Sequence, residues 1–313
     1  MTTWKVLITD GLSDKGIAIL SSAAQVDNKP DIPADELLKV AGEYDAMVVR
    51  GRTKVTPAVF EVAKKLKVVG RAGVGVDNID LAAARAKGVT VVNAPRSTSR
   101  AVAELTLALM LSLARSVPRA DGAMKAGQWL KKQLEGVELF GKTIGIIGLG
   151  NIGTIVLHCS AAMGMKGIAY DPWIPEEEIR RRGAEPVSLP ELYAQSDFIS
   201  LHVPLTPDSK GMICQHALSQ MKHGVRLICA ARGGVVDEDA LLEALNSGQV
   251  AGAALDVFTK EPPGATALIS HPSVIATPHI GAQTEEAQVR ASADIATEVL
   301  AALRGEVLRW RIV

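Results

Sequence analysis

Gly148-Leu149-Gly150-Asn151-Ile152-Gly153 spells G-x-G-x-x-G, the glycine spacing that lets a backbone wrap closely around a pyrophosphate. Alone, the pattern also suits a strand-to-helix turn with no ligand. Its surroundings favour the nucleotide: Thr143 to Ile147 before it has the character of a buried strand, and a helical stretch follows to about Met163. The next strand-like run ends at Asp171, near the offset of about 20 residues expected of an acid that binds an adenosine ribose. A carboxylate there accepts from both ribose hydroxyls and repels a 2′-phosphate, so the expected cofactor is NAD, not NADP. The pyrophosphate would lie at a helix N-terminus, on backbone amides such as those of Asn151 and Ile152.

Further along, three segments each present a polar residue just after a strand-like run: Ala231 to Asp237 with Arg232, Asp256 to Pro262 with Glu261, and Thr277 to Gly281 with His279. Open α/β sheets bind their ligands at that carboxyl edge. Taken singly, Arg232 could be a surface cation, Glu261 a turn residue before proline, and His279 a satisfied core histidine.

Together the segments resemble the D-isomer-specific 2-hydroxyacid dehydrogenases, whose arginine, glutamate and histidine signatures stand here in the same order. The resemblance extends to Gly70 through Asn78, to the glycine fingerprint and to Ala251 through Pro263, and so over nearly the whole chain. It implies that His279 carries the hydroxyl proton, that Glu261 fixes the imidazole tautomer, and that Arg232 grips the substrate carboxylate. The chemistry is apt: imidazole titrates close to neutrality, and a guanidinium fork matches a carboxylate. The resemblance also implies cofactor contacts from Val74, Gly148, Gly150, Gly153, His202-Val203-Pro204, Ala230, Ala231, Arg232, Asp256, His279, Gly281 and Ala282, with Asp256 meeting the nicotinamide amide.

The loop Arg71-Ala72-Gly73-Val74-Gly75 offers closely spaced amides for a carboxylate. Arg50 and Arg52 follow a strand ending at Val49; with Arg71 they make more positive charge than lactate or glyoxylate needs. A substrate phosphate would use it, and the resemblance then implies 3-phospho-D-glycerate as the substrate, with glyoxylate, hydroxypyruvate or D-lactate as alternatives. The family fold also serves as a nicotinamide-sensing corepressor; no exposed-looking hydrophobic insertion in the first domain supports that use here. Departures from the family pattern fall at Ser97-Thr98, where Gly-Asn is usual, at Cys229, and in the tail Leu308 to Val313.

These residues must be held by a scaffold, and the rest of the chain supplies one. The 313 residues suit two domains; 48% hydrophobic and 22% charged residues is ordinary globular composition. Lysine plus arginine (34) equals aspartate plus glutamate (34), so bulk charge gives no pull towards nucleic acid or anionic lipid. Cys159, Cys214 and Cys229 form no C-x-x-C pair and read as free thiols. No signal peptide, membrane span or metal site is expected, and the expected location is the cytoplasm. The chain stops after its closing helix, so control through a C-terminal regulatory domain is not expected.

Short valine-rich runs at 6–9, 46–49, 68–70 and 89–92 alternate with helical patterns at 15–24 and 57–65, as buried parallel strands and crossovers do. Residues 99–125 read as one long apolar helix, interrupted if at all near Pro118. A second series of strands runs from 143 to 277, and a last helix from 285 to 303. The expectation is two doubly wound parallel-sheet domains. A Rossmann cofactor domain (96–282) is inserted into a flavodoxin-like substrate domain (1–95 plus 283–313), because the fingerprint sits mid-chain. The implied assembly is a homodimer through the cofactor domain.

The acid after the second strand of the cofactor domain generates a direct test. Steady-state turnover should strongly favour NAD over NADP, and Asp171→Ala should erode that preference; equal turnover of both cofactors by the unaltered protein would overturn the reading.

Overall fold

The computed structural model describes residues 4–313. The chain divides into two compact units, Met1–Ser99 with Ala282–Val313, and Arg100–Gly281.

In the first unit β1 (Trp4–Ile8), β2 (Ala24–Asn28), β3 (Ala46–Val49), β4 (Val68–Arg71) and β5 (Thr90–Asn93) form one parallel sheet in the order β2-β1-β3-β4-β5. That order is the flavodoxin-like one. Alternate residues feed opposite cores, as the two-residue period of a strand requires. Leu7, Met47, Val49, Val69 and Val91 pack with Leu37, Phe60 and Ala84; Val6, Ile8, Val48, Val68 and Val92 pack with Leu20, Ile295 and Val299. Both faces are thus covered by helices. The helix Glu285–Arg304 lies on the second face, and two glycines admit it: a Cβ at Gly70 would meet Val299 Cγ2 at 2.5 Å, and one at Gly16 would meet Ser292 Cβ at 2.8 Å.

Strand β2 departs from the sequence pattern, which predicts a helix to residue 24; the helix ends at Ser21. Its sequence, Ala-Gln-Val-Asp-Asn, lacks an apolar run because an edge strand has one neighbour and a wetter surface. At the opposite edge the tail covers β5: Ile312 N donates to Val91 O at 2.8 Å. Ser97, one of the departures from the family pattern, donates from Oγ to Asp294 on the last helix at 2.6 Å.

The second unit carries β6 (Thr143–Ile147), β7 (Lys166–Tyr170), β8 (Glu185–Pro186), β9 (Phe198–Leu201), β10 (Val225–Cys229), β11 (Val250–Leu255) and β12 (Val274–Ala276). Their order is β12-β11-β10-β9-β6-β7-β8, all parallel. Chain direction across the sheet reverses between β6 and β9, the switch point at which such sheets open a crevice. The long apolar helix is broken in two, Ser99–Arg115 and Val117–Lys125, bent by 67°. The break falls at Ser116, in left-handed backbone (φ 51°), and Pro118 sits in the first turn of the second piece, where its missing N–H has no partner to lose. Among the described residues no single helix is long and apolar enough to cross a membrane.

Candidate active site

The fingerprint loop leaves β6 and enters the helix Asn151–Ala162. Gly148 has φ 91°, and a Cβ there would stand 2.7 Å from His202 O, so only glycine fits. A Cβ at Gly153 would run into Gly148 O, which keeps the helix close against the strand, whereas Gly150 faces open space. The loop is clamped on both sides of Leu149: its amide donates to Asp171 Oδ2 at 2.8 Å, and its carbonyl accepts from Arg182 Nη1. Asp171 Oδ1 accepts from Trp173 N at 3.0 Å. The amides of Asn151 and Ile152 lie in the first helical turn, where no intrahelical acceptor exists.

His202 follows β9. Its ring is paired with Ser200 Oγ through Nε2 at 2.9 Å, while Nδ1 is buried without a partner. Burial pushes the imidazole down to about 4, so it is neutral at physiological pH. Val203 is half-buried, and the exposed Pro204 gives its carbonyl to Ser209 Oγ at 2.6 Å. An open glycine face, unpaired first-turn amides, an orphaned buried ring nitrogen and an acid at the end of β7 together fit a dinucleotide.

Three loops at the carboxyl ends of β10, β11 and β12 carry Arg232, Glu261 and His279. His279 Nδ1 lies 2.8 Å from Glu261 Oε2, the imidazole about half exposed. An ionised carboxylate can only accept, so Nδ1 carries the proton and Nε2 presents a lone pair. The other oxygen, Glu261 Oε1, accepts from Phe258 N at 3.1 Å. A Cβ at Gly233 would collide with Phe258 O; the absence of a side chain there lets the Arg232 loop lie directly on the Glu261 loop. Arg232 Nη1 donates to Ala231 O at 2.6 Å. Ala230 and Ala231 are buried, and so is Cys229, whose thiol burial pushes up to about 11; Cys229 is a packing group here, with its Sγ 3.8 Å from Arg232 O.

Asp256 directly follows β11. It is 1% exposed, and its oxygens accept from Thr277 Oγ1 (2.6 Å), Ile280 N (2.8 Å) and Gly281 N (2.8 Å). It anchors the turn that carries His279, both of its oxygens being engaged within the protein. Thr277 and Arg182, which hold the two key loops, were not singled out in the sequence; Arg182 lies one helix beyond the fingerprint, where no local pattern marks it.

In the first unit, Arg71 ends β4 and its guanidinium lies over Gly73, where a Cβ would strike Nη1. The loop is fixed by Asn93 Nδ2, which donates to Val74 O at 2.6 Å, and by Ala94 N, which donates to Gly73 O at 2.8 Å. Ala282 begins the return to this unit, its carbonyl accepting from Gln288 Nε2 at 2.6 Å. Arg50 is half-buried, and the lost solvation pulls its pKa down somewhat against the opposing pull of Asp10. Arg52 is not available as expected. Its guanidinium donates to Thr9 O (2.7 Å) and Ile32 O (3.2 Å) and pairs with Asp10 (3.1 Å) and Asp31 (3.4 Å). Arg52 is therefore a strut of the fold, and the cationic reading rests on Arg50.

The profile described as "D-isomer specific 2-hydroxyacid dehydrogenase, NAD binding domain" matches residues 107–281. The chain is 48% identical over 304 residues, 97% of its length, to a D-3-phosphoglycerate dehydrogenase of Methanocaldococcus jannaschii. It spans 58% of that relative's length, and about half to three-fifths of the length of the other curated relatives it matches. Among solved structures, a glyoxylate reductase from Paecilomyes thermophila superposes with a TM-score of 0.90 at 30% identity, covering 100% of this chain and 99% of its own. A D-lactate dehydrogenase from Aquifex aeolicus, complexed with NAD and lactic acid, gives 0.83 at 32% identity and 96% coverage of both chains.

The paired imidazole and carboxylate generate the second test. His279→Ala should lower kcat by at least about 10²-fold, with NAD affinity little changed. Glu261→Gln should cost less and carry the acidic limb of the pH–rate profile to lower pH, because the lost carboxylate favours imidazolium. Ordinary turnover without His279 would place the proton carrier elsewhere.

Proposed function

As the chain belongs to the D-isomer-specific 2-hydroxyacid dehydrogenases, we propose that it oxidises 3-phospho-D-glycerate to 3-phosphohydroxypyruvate with NAD, a step towards serine. The observation that carries the chemistry is the 2.8 Å pairing of His279 with Glu261. Support for the substrate comes from the 48% identity to a phosphoglycerate dehydrogenase and from the cation at Arg50.

When bound, NAD accepts the hydride from the alcohol carbon. His279 Nε2 takes the hydroxyl proton, and Glu261 holds Nδ1–H and stabilises the imidazolium that results. Arg232 grips the carboxylate and polarises the forming carbonyl oxygen. In the first unit the amides of Val74 and Gly75 are the candidates for a substrate carboxylate, since Gly73 N already donates to Arg71 O at 2.8 Å. On the cofactor side, Asn151 and Ile152 would hold the pyrophosphate, and Asp171 the adenosine ribose.

We further infer a cytoplasmic homodimer formed through the second unit. Val117, Met124, Trp129 and Phe140, on and after the bent helix pair, are 51–78% exposed, and a second copy of the chain would cover them.

Two measurements follow. NADH absorbance with a panel of 2-hydroxy acids should show the highest kcat/KM for 3-phospho-D-glycerate. Arg50→Ala should lower that value about tenfold to a hundredfold, the worth of a charge-assisted bond of about 1.5–3 kcal/mol, and leave activity on D-lactate nearly constant. Equal losses on both acids would remove the phosphate from Arg50. Sedimentation velocity should give a dimer that Trp129→Asp weakens; a monomer at micromolar concentration would overturn the assembly.

A further inference from the structure

The turn that follows β3 hangs on two residues with no role so far. Asp10 follows β1, and its side chain is 5% exposed. It accepts from Arg50 N at 2.7 Å, from Thr53 N at 3.1 Å and from the Thr53 hydroxyl, and it pairs with Arg52 Nη2 at 3.1 Å. From the acceptor side of the same turn, Asn78 Nδ2 donates to Arg50 O at 3.1 Å and to Thr53 O at 2.6 Å. The first and last residues of the turn are therefore held through both amide and carbonyl.

The Arg50 guanidinium is treated differently from everything around it. Its side-chain contact is Gln283 Oε1 at 3.4 Å, and among the described residues no carboxylate lies within ion-pair distance of it. Asp10 binds the Arg50 amide, not its guanidinium. Gly51, in the middle of the turn, faces open space. A half-buried cation with no carboxylate in direct contact, on a connection this tightly fastened, is suited to receive an anion: the ordering entropy has been met by folding and is not charged against binding.

We propose that Asp10 and Asn78 are positioning residues that fix the Arg50–Thr53 turn, so that the Arg50 guanidinium is presented already oriented to the substrate's far-end anion. The role rests on the reading of Arg50 given above, and the test separates the two.

The test is a double-mutant cycle on the full chain, with 3-phospho-D-glycerate as substrate and saturating NAD. Asn78→Ser should raise KM for the acid about tenfold, as loss of a half-buried hydrogen-bonding group does, more than it lowers kcat, and should not move KM for NAD. In an Arg50→Ala background the same change should leave KM within about twofold of Arg50→Ala alone. Asp10→Asn should behave in the same way; where it fails to fold, the Asn78 arm decides. Hydrogen exchange over residues 49–56 supplies a readout independent of substrate: protection should be high in the unaltered chain and fall in Asn78→Ser. An equal KM increase in both backgrounds, or unchanged exchange, overturns the clamp. Arg50→Ala with unaltered KM overturns the reading of Arg50 itself, and the clamp's part in recognition falls with it.

Discussion

A carboxylate removed from water must be matched by donors, and Asp256 is matched by the turn that carries His279. Thr277 Oγ1, Ile280 N and Gly281 N all point at it, and at 1% exposure no solvent relieves it of them. Breaking that set would strand a buried charge, so the turn has one arrangement. His279 is meanwhile in left-handed backbone, φ 53°, a conformation uncommon for any residue but glycine. Such a conformation persists only where the surroundings over-determine it, and Asp256 does so from the residues on either side. The imidazole then meets Glu261 at hydrogen-bond distance, and the second Glu261 oxygen returns to Phe258, whose carbonyl lies on Gly233 beside Arg232. The three groups of the proposed chemistry are thus spaced by one continuous set of contacts that starts from a buried anion.

The cofactor loop is built on a related rule with the signs shared out. Asp171 takes the Leu149 amide and Arg182 the Leu149 carbonyl, so the segment between Gly148 and Gly150 cannot rotate its peptide planes. The amides beyond it, at the helix start, stay aimed outward. His202, kept neutral by the desolvation of its ring, adds no charge beside them. A protonated ring at that position would attract the phosphates of any anion, whereas a neutral one leaves selection to backbone geometry and to Asp171.

In the second unit the fingerprint is legible because it is contiguous, while Arg232, Glu261 and His279, each a few residues beyond a strand, are assigned through the resemblance of their three segments to the family. What could not be read is what reaches across the sequence. Arg52 looks like Arg50 in a linear chain; only folding brings Thr9, Asp10, Asp31 and Ile32 around it. Asp256 looks like an open acid after a strand until the turn at 277–281 closes over it. Strand β2 lacks hydrophobic signal because it lies at an edge, and the break at Ser116 depends on a positive φ in a residue type that gives no notice of it. The seat of the last helix depends on the missing side chains of Gly16 and Gly70, which sequence patterning reads only as weak helix and strand positions.

Both units place their functional groups by the same device. In a parallel sheet every strand ends on the same edge, and each chain leaving that edge carries backbone groups that the ladder no longer satisfies. In the first unit these exits hold Asp10 after β1, Arg50 after β3 and the Gly73–Gly75 loop after β4; in the second they hold the fingerprint after β6, Asp171 after β7, His202 after β9, and Arg232, Glu261 and His279 after β10, β11 and β12. Loops of this kind are ordinarily the most mobile parts of a domain. Here four of them are tied by a side chain from a neighbouring strand end: the Arg50 turn by Asp10, the Val74 loop by Asn93, the Leu149 loop by Asp171, and His279 by Glu261. The tie is always a charged or amide group meeting backbone or ring N–H and C=O, because those are the groups the strand ends leave open. Rigid scaffolding and chemical reactivity therefore have one origin, the unsatisfied polar edge of a parallel sheet.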